Sequence, residues 1–254
     1  MIMLHFDSIV YGPVHSRRLG SSLGVNLLPT DGKLCSFDCI YCECGWNRDN
    51  FTGGSFPSPE AFRTALRASL EQIAGKGPRL DSITFSGNGE PTLNPHFPEI
   101  VDIAVELRDS LAPGTALTVL SNATTCWKPE IFAALRKVDS PVMKIDAATQ
   151  ELAAKINKPV GNYDLQRVVS SLKAFEGDFI LQTMFLRCGC FDSASPENLE
   201  GWKNIVRTLR PREVMAYSIA RETPQKALYG YTEAEIRAFV QPLADEGFHI
   251  KINA

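Results

Sequence analysis

The stretch Val142-Met-Lys-Ile-Asp146 places Lys144 and Asp146 on one face of an extended strand and Met143 and Ile145 on the other. Such a strand suits a sheet whose apolar side packs on helices and whose other side is wet. The same parity groups Gln182 with Ile180 and Met184, and Thr118 with Asn122. Parallel α/β folds carry their chemistry on polar side chains at strand C-terminal ends, which is where these residues fall.

Working outward, apolar runs rich in β-branched residues are expected as strands at 24–28, 82–86, 116–121, 141–146, 179–185 and 213–218, with room for another at 249–252. Helical segments lie between them. Ser58-Pro59-Glu60-Ala61 supplies a capping residue and a first-turn proline, and the same logic starts helices near Pro95, Pro129, Pro196 and Thr232. Strand then helix, repeated about six times, makes a parallel sheet, because each crossover returns the next strand in the same direction. A full eight-unit barrel takes about 250 residues, and this chain of 254 spends many on its N-terminal segment and on a cysteine-rich loop. The expected fold is therefore α/β, a single-domain partial (β/α)6-type TIM barrel of parallel strands with an optional C-terminal strand. Its core spans about 20–225, with an N-terminal extension at 1–19 and a C-terminal helix and strand at 226–254.

With 44% hydrophobic and 22% charged residues, the chain can bury a sizeable core without disulfides. A net charge of −3 gives no diffuse basic field for phosphate backbones and weighs against nucleic acid as the general partner. The first residues do not resemble a secretory signal, and no run reaches the roughly 18 apolar residues of a membrane span. The expectation is a cytoplasmic protein with no membrane partner. Seven cysteines are spaced unevenly, with Cys35, Cys39, Cys42 and Cys44 crowded together and Cys126, Cys188 and Cys190 far off, which points to metal or redox chemistry.

Cys35-Ser-Phe-Asp-Cys39-Ile-Tyr-Cys42 puts three thiols in the loop after the first expected strand. Thiolates this close select zinc, copper(I) or iron–sulfur centres, and three can hold a 4Fe-4S cluster whose full complement is four. With Tyr41 before the third cysteine, this loop resembles that of the radical S-adenosylmethionine superfamily. Ser86-Gly-Asn-Gly-Glu-Pro91, after the second expected strand, is similar to that family's Gly-Gly-Glu-Pro-like segment, with Asn88 interposed between Gly87 and Gly89. Glycines let backbone approach a ligand closely, and carbonyls or a carboxylate can accept from an ammonium. Together with GPVHSRRLGSSLGVNLLP, KIDAA and INKP, these motifs look most like the branch containing wyosine-base-forming enzymes and uncharacterised bacterial relatives, over roughly residues 10 to 225.

The resemblance implies that Cys35, Cys39 and Cys42 ligate a 4Fe-4S cluster whose open iron chelates S-adenosyl-L-methionine. Reductive cleavage then gives a 5′-deoxyadenosyl radical that abstracts hydrogen from substrate. It implies cofactor contacts from Tyr41, Gly87, Asn88, Gly89, Glu90, Asn122, Asp146 and Gln182. Arg221, after the sixth expected strand, is a candidate for the cofactor carboxylate or the substrate. A reductant such as flavodoxin or ferredoxin is the implied partner, with a small molecule or protein favoured over RNA as substrate. At Ser121-Asn122 the family's following glycine is replaced by Ala123 and Thr124.

Other readings stay open on the residues alone. Cys44 as a fourth ligand would make a saturated four-Cys zinc or electron-transfer centre. A tRNA-modifying enzyme of the same superfamily is the third reading. Cys188 and Cys190 read first as bystanders or substrate-proximal thiols, with ligands for an auxiliary cluster or a redox pair as the alternatives. Cys126 reads as a packed side chain. Arg17 and Arg18 are candidates for a substrate carboxylate or phosphate, and the four histidines show no paired metal spacing.

Overall fold

The computed structural model describes residues 4–16, 19–47, 53–74 and 79–253. A single curled sheet runs through them in the order β1 (Val10–Ser16), β2 (Gly20–Val25), β3 (Ser82–Phe85), β4 (Ala116–Ser121), β5 (Ser140–Lys144), β6 (Ile180–Phe185), β9 (Glu213–Ser218), β10 (Ile250–Asn253). A two-stranded ribbon, β7 (Arg187–Cys188) with β8 (Phe191–Asp192), lies between β6 and β9 in the chain. Within the eight-stranded sheet every pairing from β2 to β10 is parallel and β1 joins β2 antiparallel, while the β7–β8 ribbon is antiparallel. The order is linear, with β1 and β10 at its ends, so the sheet is a partial barrel.

The helices are α1 (Pro59–Ile73), α2 (Phe97–Leu111), α3 (Pro129–Leu135), α4 (Gln150–Asn157), α5 (Leu165–Lys173), α6 (Pro196–Leu209) and α7 (Glu233–Asp245). Ser58 caps α1 by accepting from Ala61 N at 3.2 Å, and Thr232 with Glu235 closes a reciprocal capping box on α7. Phe62, Leu66 and Leu70 recur every fourth position, so α1 turns one apolar stripe to the sheet, as α6 does with Trp202, Val206 and Leu209. Met143 and Ile145 join this outer core, as their parity requires.

The opposite strand face lines the interior. At its base Val142, Ile180 and Met215 form an apolar plug beside Leu120. Next to it Ser22, Thr84, Ser82 and Thr118 form a hydroxyl ladder with contacts of 2.7, 2.9 and 2.9 Å. Buried hydroxyls satisfy one another here, so this stretch of the interior is polar with its hydroxyls paired.

Two expectations are corrected. The first parallel strand is Gly20–Val25, not 24–28, and the supposed N-terminal extension contains β1. Gly12-Pro13 reads as a loop signal, but proline is tolerated on an edge strand, and β1 is the sheet's edge. Gly24 leaves the space that the Tyr11 ring fills, since a Cβ there would lie 2.1 Å from that ring. The C-terminal strand does form, pairing Ile250 with Val214 and Asn253 with Tyr217. Arg17 and Arg18 lie outside the described residues.

Candidate active site

A cavity of about 500 Å³ opens at the C-terminal ends of the strands. Cys35, Cys39, Tyr41, Cys42, Gly87, Gly89, Glu90, Asn122, Gln182 and Arg221 all line it, so ten of the twelve expected site residues converge there. Asn88 and Asp146 do not; each stands behind a residue that does.

The cysteine loop is braced by its own apolar cluster, in which Phe37, Ile40 and Tyr41 pack on Ile156, Met184 and Leu186. Its backbone is tied to the end of α4, with Ile40 N donating to Ile156 O at 3.0 Å and Asp38 N to Asn157 O at 2.9 Å. Inside the loop the buried Lys33 Nζ donates to Gly45 O at 2.9 Å and to Asp38 Oδ1 at 3.2 Å. Asn47 accepts from Cys35 N and donates to Cys35 O, both at 3.0 Å. These contacts fix where the thiols point before any ligand arrives.

Each sulfur has a defined setting. Phe37 N at 3.4 Å and Asn122 Nδ2 at 3.5 Å approach Cys35 Sγ. Lys144 Nζ at 3.0 Å and Asn157 Nδ2 at 3.4 Å approach Cys39 Sγ. Cys44 donates to Gly87 O at 3.3 Å and is hydrogen-bonded to Cys42. That contact, with the Lys33 charge, lowers the Cys42 pKa, and it raises that of Cys44. Burial, then Glu90, pushes Cys35 up to about 12, so a thiophilic centre binding there releases a proton.

Among the described residues no three His, Cys, Asp or Glu side chains converge on one ion position. Cys35, Cys39 and Cys42 line the same cavity, and N–H donors approach two of the sulfurs, a setting that suits a polynuclear thiolate centre.

The glycine loop meets the cysteine loop directly. Leu34 N donates to Asn88 O at 2.8 Å, and Glu90 N to Leu34 O at 3.2 Å. Gly89, at φ +136°, gives a Cβ no room: it would sit 1.9 Å from Leu34 O. Gly87, at φ +125°, would drive one to 2.6 Å from Asn26 Oδ1. Asn88 turns from the cavity and holds the N-terminal segment, donating to Phe6 O at 2.8 Å and Pro29 O at 3.1 Å and accepting from Phe6 N at 3.0 Å.

Glu90 is 2% exposed, and four donors face its carboxylate: Thr92 N at 3.2 Å, Thr92 Oγ1 at 2.6 Å, Ser121 Oγ at 2.9 Å and Asn122 N at 2.7 Å. Burial raises its pKa, and these donors only partly oppose that. Asn122 in turn donates to Ser36 Oγ at 2.8 Å, linking the end of β4 to the cysteine loop.

Asp146 accepts from Tyr41 Oη, from Asn157 Nδ2 at 2.6 Å and from Met184 N at 2.9 Å. It thereby aims Tyr41 along the cavity wall. Lys144 Nζ lies 3.2 Å from Tyr41 Oη and 3.7 Å from Asp146. Burial would strip this ammonium of its proton, but Cys39 and Asp146 outweigh burial and its pKa rises. Gln182 Nε2 faces Met215 Sδ at 3.5 Å, and Arg221 at the rim pairs with Glu43. Lys33, Asn26 and Asn157 were not singled out by sequence. The INKP motif contains Asn157 and carries the one sequence signal for these three.

Cys126 is buried in the main core, as expected of a packed side chain. Cys188 and Cys190 sit on the β7–β8 ribbon and do not line the cavity.

Comparison with known proteins identifies the family and the fold. The family model for the Radical SAM superfamily matches residues 31–180, more than half of the chain. A UPF0026 protein of Methanocaldococcus jannaschii is 32% identical over 186 residues, 70% of this chain. The chain spans 54% of that relative's length. A radical SAM methyltransferase from Sphaerobacter thermophilus superposes with a TM-score of 0.67 at 19% identity, over 91% of this chain and 65% of that one. TYW1 with a lysine-pyruvate adduct bound gives 0.62 at 16%, over 89% and 74%. At such identities the structures share the fold alone.

Proposed function

Because the chain belongs to the radical SAM superfamily, and is an enzyme of it, we propose that Cys35, Cys39 and Cys42 hold a 4Fe-4S cluster with one iron left for S-adenosyl-L-methionine. The observation that carries this reading is the convergence of the three thiols, the glycine loop, Tyr41, Asn122 and Gln182 on one cavity. When bound, the reduced cluster supplies the electron that cleaves the sulfonium and opens hydrogen-atom abstraction from substrate. The chain's own part is to bind, orient and exclude water.

Tyr41, held by Asp146, presents a ring face to the adenine. The Gly87 and Gly89 backbone, packed against Asn26 and Leu34, lines the cavity where the methionyl ammonium would bind, and Arg221 at the rim would serve its carboxylate. Phe6, Met184 and Ile219 give the cavity apolar lining that limits water beside a reactive species. The slightly acidic chain favours a small molecule or a protein as substrate over RNA. A flavodoxin- or ferredoxin-type donor in the cytoplasm would supply the electron. Among the described residues no helix is long and apolar enough to cross a membrane.

Anaerobic reconstitution tests the reading. Wild type should take up about four irons per chain and release 5′-deoxyadenosine with dithionite, and Cys39→Ala should lose both. A loaded cluster that cleaves no S-adenosyl-L-methionine refutes it.

A further inference from the structure

We propose that Lys144 is a positioning residue for electron uptake: its ammonium, hydrogen-bonded to Cys39 Sγ, raises the reduction potential of the centre held by the three cysteines. The inference rests on the cluster reading above and adds to it a residue that tunes the centre without ligating it.

The geometry is specific to one sulfur. Lys144 Nζ lies 3.0 Å from Cys39 Sγ, whereas the donors on Cys35, Phe37 N and Asn122 Nδ2, are neutral and stand at 3.4 and 3.5 Å. Lys144 is held rather than mobile. It projects from the end of β5 into the interior, its side chain is 15% exposed, and its ammonium rests 5.2 Å from the Phe37 ring centroid and 5.3 Å from that of Tyr41.

Asp146 offsets part of the Lys144 field, but the sulfur is the nearer partner of the ammonium. Asp146 is farther, at 3.7 Å, and its oxygens already accept from Tyr41, Asn157 and Met184 N. Lys33, bonded to Asp38, is a second cation acting on all three cysteines, but it is unchanged in every Lys144 variant, and Glu90 is enclosed by its four donors.

Reduction adds one electron, and so one negative charge, to the centre, with no bond made or broken. In a poorly screened interior a fixed cation beside a ligand sulfur stabilises the more negative state more strongly, and an N–H donor on sulfur acts in the same direction. The electron comes from dithionite in the test, and in the cell from a low-potential flavin or iron–sulfur protein.

The test compares wild type with Lys144→Met, Lys144→Gln and Lys144→Arg. Each is reconstituted anaerobically, assayed for iron and sulfide, and titrated against redox mediators with the reduced centre read by electron paramagnetic resonance. Lys144→Met should lower the ratio of reduced to oxidised centre about tenfold at fixed ambient potential, a shift of about 59 mV for a one-electron couple. Lys144→Gln, which keeps a donor without the charge, should fall between, and Lys144→Arg should stay near wild type. If Lys144→Met fails to fold, Lys144→Gln carries the comparison. Fully loaded neutral variants with the wild-type midpoint overturn this inference alone. A wild-type chain that takes up no iron and sulfide overturns the functional reading and this inference together.

Discussion

Gly89→Ala should break the contact between the two loops that build the site. A Cβ at Gly89 would lie 1.9 Å from Leu34 O and 2.5 Å from Leu34 C, so backbone must retreat by about 1.1 Å to recover the 3.0 Å that real Cβ contacts keep. Leu34 immediately precedes Cys35, and its carbonyl also accepts from Glu90 N. The displacement therefore passes straight to a cluster ligand. Alanine at φ +136° adds strain of about 1–3 kcal/mol, and overpacking adds a similar amount, for about 2–6 kcal/mol together. Gly161→Ala separates the two effects, because Gly161 is also at positive φ, +84°, but a Cβ there meets nothing within 4 Å. The assay is urea unfolding of both variants, followed by iron and sulfide content after anaerobic reconstitution. Gly89→Ala should lose the larger share of stability and keep less than about half of the iron, since a ligand displaced by an ångström no longer fits a preformed site. If it unfolds like Gly161→Ala and loads a full cluster, the loop contact does not position Cys35 and the reasoning fails.

Glu90→Ala should cost about 2–5 kcal/mol in urea unfolding, because it leaves the Thr92 and Asn122 amides buried without an acceptor. The Glu90 pKa is raised by burial, so the folded state holds this proton more tightly; stability relative to Glu90→Gln should fall as pH climbs from about 4.5 through the folded pKa, then level off. A relative stability that rises over that window would contradict it. Arg221→Ala should change stability by less than about 1 kcal/mol, since its pair with Glu43 is 60% exposed on the arginine side. It should weaken S-adenosyl-L-methionine binding about tenfold in equilibrium dialysis. Chelating the iron from reconstituted protein should leave a single cooperative unfolding transition by circular dichroism, because the loops are pinned by protein contacts rather than by metal.

Local signals and strand parity made most of the scaffold legible. Ser58-Pro59 and Thr232 mark helix starts because capping depends on residues a few positions apart, and the Lys144/Asp146 alternation separates interior from core because a strand has period two. β1 escaped because Gly12-Pro13 is a local loop signal, while the reason it pairs is remote: the Tyr11 ring lies over Gly24 and its hydroxyl meets Ser86 Oγ at 2.8 Å. The same limit applies in the site. The thiols and glycines are readable from spacing, but Asn88 and Asp146 face partners distant in sequence, Phe6 for one and Tyr41 for the other. Lys33 was invisible for that reason: its role is a bond to the carbonyl of Gly45, and carbonyls leave no trace in sequence.

The two buried carboxylates explain why the cavity persists as a shape. Glu90 joins the glycine loop to the end of β4, and Asp146 joins the cysteine loop to α4 and β6. Glu90 meets only neutral donors and its pKa rises on burial, whereas Asp146 has an ammonium at 3.7 Å as well as three donors. Charge of one sign is thus enclosed on the side of Cys35, and a compensating cation is placed on the side of Cys39. Lysine at position 144 therefore answers two needs at once, balancing Asp146 and facing a thiolate. Replacing the Lys144–Asp146 pair with apolar residues could preserve the fold, as buried ion pairs often permit, but it would release Tyr41 and leave Cys39 without its cation. The pair is better explained by the site it shapes than by the stability it adds.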